Sequence, residues 1–165
     1  MKTISKNNIH IFWDDKYEKE KNADLIINSI ILTKKFEKIS KKFIIKVFLV
    51  TSKEIKILNK KFLGNNYETD VLSFNYYEGW KNGELLKTGD LFPGEDSFDE
   101  LGELYISTPK ILKQAKENNI TFAKELSTMA VHGTLHLLGY NHEEIYEEKI
   151  MFSKTDKILD LMTLD

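Results

Sequence analysis

The chain has 165 residues, of which 41% are hydrophobic and 30% are charged, and its formal net charge at pH 7 is −2. This length suffices for one domain with a packed core that would bury about two thirds of the unfolded surface. The lack of cysteine excludes disulfide bonds and thiolate metal ligands. Since no apolar run approaches the ~20 residues of a membrane span, we expect no membrane partner and a cytoplasmic protein.

The first part of the chain predicts two strands and two helices. Ile9, Ile11 and Trp13 alternate with residues of the opposite face, which indicates a strand. Apolar spacing over residues 23–39 predicts a helix, and the β-branched run over 43–50 predicts a buried strand. Ser52 would then cap a helix that Gly64 ends.

The second part predicts two more strands and three helices. Strands over 71–76 and 101–106 would be partners, and the glycine-rich connection over 76–100 predicts a surface loop or an extended hairpin rather than a second domain. Pro109 indicates the start of a helix over 109–118, followed by helices over 122–138 and 143–162. The chain is therefore expected to be one α+β domain, with a mixed sheet of about four strands and about five helices.

The charges are unevenly distributed along the chain. Residues 34–61 hold ten lysines and two acidic residues, whereas residues 66–108 hold ten acidic residues and two lysines. The basic side could attract phosphates, although a solvated helix face would give the same pattern. All 24 basic residues are lysines, so any RNA contact would use the point charge of an ammonium group and be sensitive to salt.

Three of the four histidines lie within eleven residues near the C-terminal end. His132 and His136 stand four apart and would share one face of a helix. Gly139 can take a positive φ and end that helix, which would return His142 to the same ion. Three protein ligands and a fourth position left to water are typical of a catalytic zinc site. Histidines that only pack or cap would not account for this spacing, so the sequence predicts one metal ion.

One position separates this pattern from the zinc metalloproteases. There, the residue after the first histidine is a glutamate that acts as general base, whereas here it is Gly133. A peptidase would need a carboxylate from elsewhere, such as Glu143 or Glu144. Zinc can also polarise a phosphoryl oxygen, so phosphodiester hydrolysis remains an alternative.

The histidine block closely resembles a family signature. Residues 132–142 read HGTLHLLGYNH, which is similar to the signature H-G-x-L-H-L-x-G-Y-D-H of the bacterial YbeY family of rRNA maturation endoribonucleases. Further similar blocks are LNKKF at 58–62, TDVLSF at 69–74 and LGELYIS at 101–107, so the resemblance spans roughly residues 45 to 160. Three residues depart from the family pattern: Glu103 and Asn141 each replace aspartate, and Leu63 replaces an arginine thought to face the metal cleft.

The resemblance implies a zincin-like site on a C-terminal helix, with one zinc ion held by His132, His136 and His142. It implies that residues 1–165 form one endoribonuclease domain that acts on single-stranded RNA, notably at the 3′ end of small-subunit rRNA, in rRNA maturation and ribosome quality control. The implied partners are the small ribosomal subunit and its assembly factors, with no DNA.

Three further residues are site candidates. Asp70 could orient the ion's water or an imidazole, or it could be a turn or cap residue, and Lys60 and Lys61 are candidate RNA contacts. Because leucine cannot contact a phosphate, the replacement at Leu63 leaves a second hypothesis, a metal-stabilised ribosome-assembly binding factor with weak or no nuclease activity. Metallopeptidase is the third.

Overall fold

The computed structural model of the chain describes residues 1–14, 20–76, 79–86 and 99–162. In chain order the strands and helices are β1 (Lys2–Lys6), β2 (Ile9–Trp13), α1 (Glu20–Phe36), β3 (Ile44–Val50), α2 (Ser52–Leu63), β4 (Val71–Asn75), β5 (Trp80–Lys81), β6 (Glu84–Leu85), β7 (Glu100–Ser107), α3 (Thr108–Glu117), α4 (Phe122–Leu137) and α5 (Ile145–Asp160). The α+β class, the five helices and the four predicted strands are confirmed, with shifts of up to three residues at their ends.

A mixed five-stranded sheet, in the order β1-β2-β3-β7-β4, forms the centre of the fold. Strands β2, β3 and β7 are parallel, whereas β1 and β4 run antiparallel at the two edges. The predicted pairing of the strand at 71–76 with that at 101–106 is confirmed as β4 with β7. The fifth strand, β1, was not predicted because its sequence KTISK is polar and mostly exposed, so it lacks the apolar alternation of a half-buried strand.

One face of this sheet carries the core. Its fully buried side chains include Ile9, Ile11, Ile45, Val47 and Leu104. Helices α1 and α4 pack together on this face, and α5 packs against both helices. Within the described ranges, no helix combines the length and apolar character that crossing a membrane requires.

Helix α2 lies on the opposite face, where Phe62 contacts Phe74 of β4. Its N-cap is Thr51 rather than the predicted Ser52. The Thr51 hydroxyl accepts a hydrogen bond from the backbone N–H of Glu54, whose carboxylate accepts from the backbone N–H of Thr51. This reciprocal pair needs a glutamate three residues after the cap, which Thr51 has and Ser52 lacks. Gly64 ends the helix with φ = 75°, as predicted.

The segment predicted as a loop or extended hairpin contains a two-stranded hairpin, β5–β6. Its Trp80 is buried and packs edge-on against Phe43, with 5.2 Å between the ring centroids. The backbone N–H of Gly83 donates to the carbonyl oxygen of Leu138 at 2.9 Å. The hairpin is thereby attached to the end of α4. Residues 77–78 and 87–98 of the segment lie outside the described residues.

Candidate metal centre

Helix α4 presents the first two histidines of the cluster. The helix begins after Thr121, whose hydroxyl accepts a hydrogen bond from the backbone N–H of Lys124. His132 and His136 lie one turn apart and are half-buried, with 3.0 Å between their Nε2 atoms. Since the two side chains share one face of the helix, both imidazoles face the same point in space.

A glycine turn carries the third histidine to that point. Gly139 has φ = +83°, and a Cβ there would lie 2.2 Å from the carbonyl oxygen of Trp80. Only glycine satisfies both the left-handed conformation and this close backbone approach. After the turn, the ring centroid of His142 lies 5.4 Å from that of His132 and 5.0 Å from that of His136. One ligand atom from each histidine falls within 4.8 Å of the others.

The backbone fixes the tautomer of His136. Its Nδ1 lies 2.9 Å from the carbonyl oxygen of Tyr140, and because a carbonyl only accepts, Nδ1 carries the proton. The lone pair of a neutral His136 is therefore on Nε2, which faces His132. A hydrogen bond at the remote nitrogen is the usual way in which a metal-binding imidazole is oriented.

The Tyr140 side chain is held in turn by a buried polar network. Its hydroxyl donates to the Glu37 carboxylate at 2.6 Å, and Lys154 forms an ion pair with the same carboxylate at 2.8 Å. The Glu37 side chain is only 5% exposed. Burial raises the pKa of Tyr140, as does the hydrogen bond to Glu37, so the phenol remains a donor at neutral pH. The network joins the residue that follows α1, the glycine turn and α5 behind His136.

The imidazoles of His132 and His136 are neutral at physiological pH. The pKa of His132 is lowered to about 4, first by burial and then by His136 and His142, with Asp70 acting in the opposite direction. Burial also lowers the pKa of His136. Neutral imidazole is the form that binds a metal ion, because protonation would occupy the ligand lone pair.

The donor set fits a transition-metal ion. Three imidazole nitrogens suit zinc, copper, iron or nickel better than the oxygen-preferring magnesium and calcium ions. With zinc–nitrogen bonds of about 2.0–2.1 Å, two ligand atoms of a tetrahedral site lie about 3.3 Å apart. The separation of 3.0 Å between His132 and His136 is close to that value. The cluster can therefore hold one ion.

The cluster borders an open cleft of about 420 Å³. Asp70 and Ser73 line its wall on the β4 side. One oxygen of Asp70 accepts from the backbone N–H of Val71 at 2.7 Å, and the other accepts from the Gln114 amide at 3.1 Å. The carboxylate therefore both caps the start of β4 and faces the cleft, where its charge acts on His132.

Position 133 faces the sheet rather than the cleft. A Cβ on Gly133 would lie 3.1 Å from atoms of both Leu104 and Val71, so a glutamate here would be forced between α4 and the sheet. The two other carboxylates considered for a peptidase, Glu143 and Glu144, are exposed before α5 and do not line the cleft. Neither Glu143 nor Glu144 is therefore placed to act as a general base in the cleft.

The remaining sequence candidates are on or near α2. Leu63 lines the cleft and is 57% exposed. Lys60 and Lys61 are exposed on the same helix but are not among the residues that line the cleft. Sequence reasoning did not find the supporting side chains, which are Glu37, Asn75, Gln114, Met129 and Lys154. Met129 lines the cleft one turn before His132 on α4. The other four meet the site only through tertiary contacts, and none carries a local motif.

The known proteins that are similar to this chain share one family description. Residues 8–163 match the family model described as Endoribonuclease YbeY. An Endoribonuclease YbeY of Malacoplasma penetrans is 36% identical over 158 residues, which cover 94% of this chain and 95% of that protein. One from Lysinibacillus sphaericus is 42% identical over 120 residues, or 73% of each chain. A solution structure of a Thermotoga maritima protein is similar with a TM-score of 0.56 and 31% identity, covering 92% of this chain and 87% of that one.

Proposed function

The chain belongs to the endoribonuclease YbeY family, and from this premise we propose that it is a metal-dependent endoribonuclease that cuts single-stranded RNA in rRNA maturation. The observation that carries the proposal is the convergence of three imidazoles at the edge of an open cleft. A closed structural zinc site uses four protein ligands, whereas a catalytic one keeps a position for water or substrate. Three converging protein ligands beside a cleft support the second type.

In this proposal residues 1–165 form one endoribonuclease domain. Its substrate is precursor rRNA at the 3′ end of the small-subunit RNA, and its role extends to ribosome quality control. Its partners are the small ribosomal subunit and assembly factors, so it would work in the cytoplasm, where these particles mature.

His132, His136 and His142 are the proposed ligands of one zinc ion. The neutral state of His132 and His136 and the fixed tautomer of His136 support this assignment. When bound, zinc would polarise a phosphate oxygen and lower the pKa of a coordinated water to about 7.

Three other residues have proposed roles in the reaction. Both oxygens of the Asp70 carboxylate are held by hydrogen bonds on the cleft wall, which suits a group that orients the attacking water or His132. Lys60 and Lys61 are exposed on α2, near the cleft residue Leu63. They would attract the RNA backbone outside the cleft by their charge, with little sequence preference.

The binding-factor hypothesis is supported by one feature of the cleft. Among the described residues that line its 420 Å³, none is a lysine, and Leu63 is one of its exposed residues. A cleft without a permanent positive charge would hold a phosphodiester weakly. Tight binding to ribosomal particles is expected under both hypotheses, so turnover on RNA is the property that separates them.

The test is cleavage of a labelled single-stranded RNA by the zinc-loaded protein. We expect cleavage that stops with a chelator, returns with added zinc and is absent in His132→Ala. His10→Ala is the matched control, because His10 lies on β2 and contacts Ser5; this variant should cut normally. Elemental analysis of His136→Ala should show that the ion is lost.

Each alternative has its own outcome. Metal-loaded protein that leaves RNA intact would favour the binding factor. Cleavage of an unstructured protein under zinc would favour a peptidase. Full zinc occupancy in His136→Ala would refute the ligand assignment.

A further inference from the structure

A second cavity, of about 580 Å³, adjoins the metal cleft beside the β5–β6 hairpin. The two cavities share four lining residues, which are Ser73, Asn75, His136 and Asn141. Together they form one groove along β4 that passes the histidine cluster. Leu63 and Asp70 line only the first cavity, whereas Lys81 and Leu86 line only the second.

The lining of the second cavity has the chemical character of a nucleotide site. Trp80 and Leu86 contribute apolar surface, and Asn75 and Asn141 contribute side-chain amides. A nucleotide presents the same combination, since it has a flat base, hydrogen-bonding base edges and a charged phosphate. Single-stranded RNA is recognised through such apolar and hydrogen-bonding contacts to unstacked bases.

Lys81 supplies the positive charge. It is the one residue with a permanent positive charge among the described residues that line either cavity. Within the described part of the chain it forms no ion pair, not even with Glu84, which lies opposite it on the hairpin. Its side chain is exposed, so a phosphate could reach it.

We propose that the second cavity is the subsite for the nucleotide next to the scissile phosphodiester, and that Lys81 binds its phosphate. This inference rests on the proposed function, since it takes single-stranded RNA as the ligand. Trp80 and Leu86 form the apolar surface against which the base lies. Asn141, which lines both cavities, contacts the strand between the subsite and the histidine cluster.

The position of Lys81 relative to the histidines is fixed by the docking of the hairpin. Gly83 donates to the carbonyl oxygen of Leu138, and the backbone of Trp80 lies directly against Gly139. Both contacts are made to the turn that leads to His142. The backbone of Lys81 is thus held beside the cluster, which limits the phosphates that its side chain can reach.

The test measures RNA affinity and its salt dependence for the full-length zinc-loaded protein. The probe is a short fluorescent single-stranded RNA, titrated with wild type, Lys81→Ala, Lys81→Arg and the control Lys157→Ala. Lys157 is exposed on α5 and lines neither cavity. Lys81→Ala should bind several-fold more weakly, and its plot of log affinity against log salt should be shallower by about 0.7. Lys81→Arg should keep both values, and all variants should keep their zinc.

Two results would overturn the subsite. One is a Lys81→Ala protein that binds RNA with the affinity and salt slope of Lys157→Ala. The other is a Lys81→Arg protein as weak as Lys81→Ala, since charge would then not be the cause. Failure of the proposed function looks different, because wild type itself would then leave RNA uncut at every salt concentration.

Discussion

The proposed metal-binding and substrate-binding parts of the groove are built in opposite ways. On the metal side, His136 is fixed by the Tyr140 carbonyl, and Tyr140 is held by Glu37 and Lys154. On the substrate side, Leu63 and Lys81 are exposed. Leu63 has no polar group, and Lys81 forms no side-chain hydrogen bond or ion pair with the described residues.

Because of this difference, mutations in the two parts should have different physical consequences. A metal site requires ligand atoms at fixed distances, which only packed and hydrogen-bonded groups provide. Contact with a flexible, charged strand needs only charge and access, which exposed side chains provide. Substitutions on the metal side should therefore change stability and zinc affinity together. Those on the substrate side should change RNA affinity alone.

The largest effect is expected at the glycine turn, where Gly139→Ala would disturb both the fold and the position of His142. Gly64→Ala is the matched control, because Gly64 also has a positive φ but has nothing within 4 Å of the added Cβ. The control should lose about 1–2 kcal/mol from the left-handed conformation. Gly139→Ala should lose about 1–3 kcal/mol more, because the Trp80 backbone has to move.

Urea unfolding of both variants measures these costs, and calorimetry measures zinc affinity. We expect zinc affinity to fall in Gly139→Ala and to be unchanged in Gly64→Ala. Equal costs in the two variants would show that the hairpin contact does not constrain the turn.

A smaller effect is expected one step further from the ligands, in Tyr140→Phe. This variant removes the hydrogen bond to the buried Glu37 carboxylate but leaves the ion pair with Lys154. The expected loss of stability is about 1–3 kcal/mol. Since the backbone carbonyl that orients His136 is still present, zinc affinity should fall by less than about 10-fold.

Tyr67→Phe is the matched control, because Tyr67 is 56% exposed and should change stability by less than about 0.5 kcal/mol. Thermal unfolding with and without zinc distinguishes the variants. If Tyr140→Phe unfolds at the same temperature as Tyr67→Phe, the buried network does not support the site.

The sequence predicts the convergence of the histidines because the information for it is local. His132, His136 and Gly139 lie within eight residues of each other, and helical spacing together with glycine chemistry determines where they point. The sequence does not predict the full order of the strands, by contrast, because the polar sequence of β1 has no clear period and this strand is missed.

The support of the site lies far away in the sequence. Glu37 is 103 residues from Tyr140, and Gln114 is 44 residues from Asp70. No spacing rule connects such pairs, because they meet only after the helices pack. The docking of Trp80 against Gly139 is hidden for the same reason, although the positive φ of Gly139 could be anticipated.

The smallest effect should come from Leu63→Arg, which would sharpen the comparison by adding charge to the substrate side. Leu63 is 57% exposed at the cleft, so a guanidinium can enter without displacing buried atoms. Stability should change by less than about 0.5 kcal/mol, and zinc affinity should be unchanged. RNA affinity should rise several-fold, with a salt slope steeper by about 0.7 because one more phosphate is neutralised.

The control is Leu112→Arg, since Leu112 is 43% exposed on α3 and lines neither cavity. Fluorescence titrations with single-stranded RNA compare the two variants. If both bind RNA equally well, added charge acts through the whole surface. A gain confined to Leu63→Arg would mean that the strand passes this wall of the cleft, and that the groove continues beyond the histidines toward α2.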